Sequence, residues 1–128
     1  MAQGRVFGRE VFEMSELLSG LQGWGCDVSG AMERMLGDEE FYMECLHLTV
    51  TDGEFDKLGQ ALERNDARAA FDAAHTLKGV LSNMGLTPLY DCVSAIVEPL
   101  REGRFDDTAE EYARLLVRRA ELSALLGE

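Results

Sequence analysis

The sequence predicts an all-α protein: an antiparallel up-and-down four-helix bundle with an additional short N-terminal helix. Strand signals are almost absent, because β-branched residues are few and no apolar/polar alternation persists. Apolar residues instead recur at helical spacing, most clearly over residues 70–84 and 112–126. Short stretches of Gly, Asp, Asn and Thr separate the runs, and brief connections favour antiparallel neighbours. The chain has 128 residues, the size of one domain with its own core.

The elements follow in order. Residues 1–25 read as an N-terminal segment, helical over about residues 9 to 21 and partly flexible before that. The glycines of "GLQGWGCD" are expected to end this helix, and Trp24 to pack the segment onto the rest. Residues 26–128 form the bundle. "VSGAMERMLG" makes a short helix ending at Gly37. Asp38 caps "EEFYMECLHLTV", whose Glu39 and Glu40 suit the positive end of the helix dipole. "TDGEFDKLGQALER" is bent from that helix or restarts at Asp52. Asn65 and Asp66 cap the next helix, which ends at Gly85 with Leu86 folding back as its apolar contact. Thr87 and Pro88 are the expected N-cap and first residue of the helix that follows. Pro99 removes a backbone donor there and is expected to kink or interrupt it near residues 95 to 98. Asp106 or Asp107 caps the last helix, with Tyr112, Leu115, Leu116, Leu122 and Leu126 at core-facing spacing. Arg118 and Arg119 read as its solvated face.

Composition removes several classes of function. No apolar run approaches the roughly 20 residues that span a bilayer, and "MAQGRVFGRE" lacks the apolar core of a secretory signal. A cytoplasmic location is therefore expected. A net charge of −12 argues against nucleic acid or an anionic membrane as partner, since both reward basic patches. Cys26, Cys45 and Cys92 are odd in number and irregularly spaced, which suits reduced, buried thiols better than a disulfide framework. Cys45 and His47 lie on different sides of any helix, so no metal site is expected. His47 reads as an ordinary helix residue.

The informative stretch is "FDAAHTLKGVLSNMG". Ala70, Ala74, Leu77, Leu81 and Met84 form one apolar stripe, and His75 lies about 150° from its centre at 3.6 residues per turn. The histidine therefore points to solvent. Phe71, Lys78, Gly79 and Ser82 lie near it on the same face, with Arg68 two turns back. Gly79 costs a helix interior about 1 kcal/mol relative to alanine, and what it provides is close access to the imidazole. Lys78 and Arg68 make the spot locally positive. Neutral imidazole is a competent nucleophile near pH 7, and a neighbouring ammonium offsets the charge of an anionic group transferred to it. A phosphoryl group is the obvious candidate.

"HTLKG" with Gly85 closing the helix resembles the histidine-containing phosphotransfer (HPt) domain of two-component phosphorelays. That family's pattern is histidine, any residue, Leu or Ile, Lys, Gly, then a glycine six residues on. "DVSGAMERMLGDEEFYMECL" and "ALERNDARAAFDAAHTLKG" resemble the family's approach to that motif, so the likeness covers roughly residues 27 to 103. The first twenty-five and last twenty residues match nothing specific, and Val80 and Leu81 are bulkier than the small residues common after the motif. The resemblance implies that His75 accepts a phosphoryl group from a receiver-domain phosphoaspartate and passes it to another receiver aspartate. Lys78 would neutralise charge, and Gly79, with Phe71, Ser82 and Arg68, would serve docking. The implied partners are receiver domains of response regulators or hybrid histidine kinases. In such proteins the receiver supplies Mg2+, so the chain needs no cofactor or metal of its own.

No glycine-rich phosphate loop appears and there is no room for an ATP-binding domain, so the chain reads as a phosphotransfer intermediate and not as an enzyme. A variant of this reading is the N-terminal phosphotransfer fragment of a chemotaxis-type histidine kinase. The alternative from another class is a helical-bundle adaptor that binds a signalling partner without phosphotransfer, using aromatics such as Phe71.

Overall fold

A computed structural model describes the backbone of residues 2–128 and the side chains of residues 13–128. Every regular element among them is helical: α1 Ala2–Trp24, α2 Val28–Arg34, α3 Glu39–Val50, α4 Glu54–Glu63, α5 Ala67–Asn83, α6 Thr87–Arg101 and α7 Thr108–Leu125. Helix α5 lies between α4 and α6, α7 packs on α6, and α7 also touches α3 and α4. Helix α1 leans on α2 and α7.

The N-terminal helix is longer than expected. It runs through Gly20 and Gly23 and stops only at Gly25, whose φ of 116° no helix accommodates. Two interior glycines weaken a helix by about 1 kcal/mol each, yet Leu21 is fully buried and Leu17, Leu18 and Trp24 pack on the core. Tertiary burial outweighs propensity here. Met1 and the side chains through residue 12, on which part of the expected flexible segment falls, lie outside the described residues.

Aspartates start the central helices. The Asp27, Asp38 and Asp66 carboxylates accept from the backbone N–H of Gly30, Phe41 and Ala69 at 3.0 to 3.1 Å. Asp52 accepts from Glu54 N at 2.8 Å, so α4 is a restart and not a bend of α3. Three other boundaries differ from expectation. Helix α6 begins at Thr87 with Leu86 as its N-cap, one residue early, because the hydrogen bonds of the preceding turn place Leu86 there. It also continues through Pro99 to Arg101: one missing donor near the end of a helix is tolerated when Ile96, Val97 and Leu100 are buried around it. Asp107 precedes α7 in a left-handed conformation and its side chain caps nothing; the Thr108 hydroxyl donates to the Phe105 carbonyl at 2.9 Å instead.

The core collects Tyr42, Leu46, Phe55, Leu58, Leu77, Leu81, Leu86, Leu89, Ile96, Leu115 and Leu122, all at 0% exposure. On α7 only Leu115 and Leu122 of the expected stripe are fully buried, while Tyr112, Leu116 and Leu126 are half-buried. Arg119, expected on a solvated face, is half-buried with its guanidinium carbon 4.8 Å from the centre of the Phe55 ring. Its aliphatic stem and planar head suit an aromatic face.

Candidate functional site

Helix α5 carries the site, and its apolar stripe is buried as the spacing requires: Ala70, Ala74, Leu77 and Leu81 at 0% and Met84 at 4%. Ala73 joins them at 4%. The alanines keep this face small, so the helix fits closely between α4 and α6.

The end of α5 is fixed by several independent contacts. Gly85 has φ +69°, its N–H donates to the Ser82 carbonyl at 3.1 Å, and Leu86 N donates to the Leu81 carbonyl at 3.0 Å. This pair of bonds is the Schellman closure that a left-handed glycine allows. A Cβ on Gly85 would stand 2.3 Å from the Asp27 carbonyl oxygen, and Asp27 N in turn donates to the Gly85 carbonyl at 2.8 Å. Arg34 reaches across from α2 and donates from Nε to Asn83 O at 2.8 Å and from Nη2 to Ser82 O at 3.0 Å. The buried Tyr42 hydroxyl donates to Met84 O at 2.8 Å, and burial pushes its pKa well above the usual phenol value. Terminal carbonyls that a helix leaves without partners are thereby satisfied, by a cation where the helix dipole is negative.

His75 projects outward from this fixed helix. It is exposed, and its ring stacks on Phe71 with centroids 5.5 Å apart and planes 28° from parallel. Among the described residues neither ring nitrogen has a hydrogen-bond partner. His47 differs: its Nδ1 is paired with the Glu128 carboxylate. Gly79 is exposed, and a Cβ there would meet nothing within 4 Å, so no contact among the described residues demands a glycine. Ser82 is exposed too, and its backbone carbonyl belongs to the Arg34 cap. Arg68 is exposed and lines a shallow cleft with Phe71, Leu100 and Arg101.

Lys78 is placed differently from expectation. It leans toward α6, with Nζ 4.0 Å from Glu98 Oε1 and 5.9 Å from the centre of the Tyr90 ring. Glu98 also faces Arg101, whose Nε is 3.7 Å from Oε2, and the Arg101 guanidinium carbon lies 5.4 Å from the centre of the Phe71 ring. Sequence reading missed both α6 residues. The only local sign was an acid and a base three apart on one helix face; their proximity to His75 is tertiary. Chemically, the face offers an unpaired imidazole nitrogen, open backbone beside it, the Arg101 guanidinium resting on the ring that stacks with the imidazole, and Lys78 three residues along the same helix.

Among the described residues no group of three or more His, Cys, Asp or Glu side chains is arranged to hold a metal ion, and no helix is long and apolar enough to cross a membrane. The family model of the Hpt domain matches residues 48–128, well over half the chain. The match includes α7, the expected last helix of the bundle, which lies beyond the roughly 27 to 103 covered by the motif resemblance. No curated protein and no solved structure matches the chain.

Proposed function

The chain belongs to the Hpt-domain family, phosphocarriers of two-component signalling that exchange phosphoryl groups with receiver domains, and we propose that His75 is the residue that carries the group here. The observation behind this choice is the exposed imidazole with both nitrogens unengaged, beside the open backbone of Gly79. His47, the other histidine, is held by Glu128. We read α4 to α7, joined by short turns, as the antiparallel bundle that presents this face, with α1 as an N-terminal addition.

In the transfer step the lone pair of one ring nitrogen attacks the phosphorus of a receiver phosphoaspartate. The P–O bond to the aspartyl carboxylate breaks and its electron pair stays with that carboxylate. The proton on the other ring nitrogen passes to water. Onward transfer runs the same exchange toward a second receiver aspartate. Lys78 and Arg101 attract the incoming dianion, Phe71 holds the ring plane, and Gly79, Ser82 and Arg68 form the ground on which the receiver settles. Magnesium is expected on the receiver, and this chain contributes no cofactor and no kinase chemistry. A cytoplasmic setting, with receivers of response regulators or hybrid kinases as partners, fits this role. The same chemistry would serve a chemotaxis-type kinase of which this chain formed the N-terminal part.

The adaptor reading is weaker because Phe71, its natural anchor, is half-buried between His75 and Arg101. Incubation with a phosphorylated receiver and magnesium separates the two. Label is expected on the native chain and not on folded His75→Gln; labelling that survives the substitution removes His75 from the role.

A further inference from the structure

Glu98 lies between two cations, Lys78 and Arg101, at the α6 edge of the site. Its Oε1 is 4.0 Å from Lys78 Nζ and its Oε2 is 3.7 Å from Arg101 Nε. Each cation also rests on an aromatic face, Lys78 on Tyr90 and Arg101 on Phe71, and Phe71 is the ring that His75 stacks on. The carboxylate is exposed and both separations exceed a close hydrogen bond, so the pairs are loose and easily exchanged. Loose pairing keeps both cations at the α6 edge of the site without fixing them there. On the opposite edge, Lys57 is bonded to Glu54 at 3.2 Å along its own helix, so it is not poised in the same way.

We propose that Glu98 is a resident anion that holds Lys78 and Arg101 in the unphosphorylated chain and yields them to the phosphoryl group, so that it limits how strongly His75 attracts phosphate. This rests on His75 being the acceptor. Glu98 acts through the two cations and is a positioning residue: it touches neither the imidazole nor the transferred group. A carboxylate that competes for the same cations, and repels the incoming dianion, lowers the loading of the carrier. For a relay intermediate that is useful, since a phosphoryl group bound too well would not be passed on.

Phosphoramidate tests this without a receiver. The imidazole nitrogen attacks its phosphorus, the P–N bond breaks and ammonia leaves. At pH 8, where an ordinary imidazole is neutral, Glu98→Gln is expected to raise the second-order labelling rate roughly three- to tenfold, the range of two weak ion pairs. The gain should vanish in about 1 M salt, which screens exposed charges beyond roughly 3 Å. It should also shrink below about twofold when Lys78→Ala and Arg101→Ala are already present, as coupled groups require. Glu102→Gln is the control for net charge, because Glu102 is bonded to Arg104 instead, at 3.0 Å. An equal gain in the control, or a Glu98→Gln gain that persists without the two cations, overturns the proposal. So does a Glu98→Gln rate equal to the native one while His75→Gln remains unlabelled, and in that case the acceptor reading stands. A native chain that takes no label from either phosphoramidate or a phosphorylated receiver overturns both.

Discussion

The rings of Phe71 and His75 stack at a centroid distance of 5.5 Å, one helical turn apart on α5. A surface imidazole otherwise samples several rotamers, and ordering it costs about 1 kcal/mol of side-chain entropy. The stack takes up part of that cost before a partner arrives. Phe71→Leu keeps an apolar, half-buried side chain, so the melting temperature should move little. Phosphoryl uptake by His75 should fall several-fold, measured by label transfer from a receiver under single-turnover conditions. A native rate would show that the stack orders nothing of consequence.

Gly79 separates fold from access. Because an added Cβ meets only open space, Gly79→Ala should leave folding intact and raise stability by up to about 1 kcal/mol. Urea unfolding reads the gain, and receiver transfer should drop because the surface beside His75 is no longer bare. Better folding with undiminished transfer would sink the access argument.

Lys78 has an ion pair at 4.0 Å with an exposed partner, an arrangement worth about 0 to 1 kcal/mol. Lys78→Ala is therefore expected to change thermal stability only slightly while slowing transfer. A large loss of stability with normal transfer would reverse the assignment.

Gly85 is the opposite case. Gly85→Ala combines a left-handed backbone, costing about 1 to 2 kcal/mol, with a Cβ driven against the Asp27 carbonyl. A loss of at least about 2 kcal/mol in urea unfolding is expected. A loss under half that would mean the α2–α5 junction gives way easily.

The cysteines supply a pH-dependent check. Burial raises the Cys26 thiol to about 12 and the Cys92 thiol above its usual value. Both stay protonated at pH 8, and the thiolate is the reactive form. Half-buried Cys45 should react with a disulfide reagent well before the other two. Raising the pH to 9 should not expose Cys26, since its folded value is far above that. Equal rates for all three thiols would contradict the burial.

What the sequence disclosed and what it hid follow from range. The outward direction of His75 needed only the spacing of Ala70, Ala74, Leu77 and Leu81 within one helix. Asp38 and Asp66 announced helix starts, and Gly85 a helix end, because capping is settled within four residues. Interactions between helices left no such mark. Lys78 looked free to meet the imidazole until α6 brought Glu98 to it. Nothing in the residues around Arg34 marks its role, because the Asn83 carbonyl it binds lies 49 residues further on. In α1 the glycines argue locally for a break, and only the core into which Leu21 fits overrides them.

The anchoring of α5 bears on where a working unit can be cut. The family match starts at residue 48, yet the carbonyls at the end of the histidine helix are held by Arg34 and Tyr42, and Gly85 is closed over by Asp27. A piece trimmed to the matched residues would keep the histidine, the lysine and the glycine and lose all three of these clamps. A piece that keeps these hydrogen bonds, which sequence similarity does not register, begins no later than Asp27.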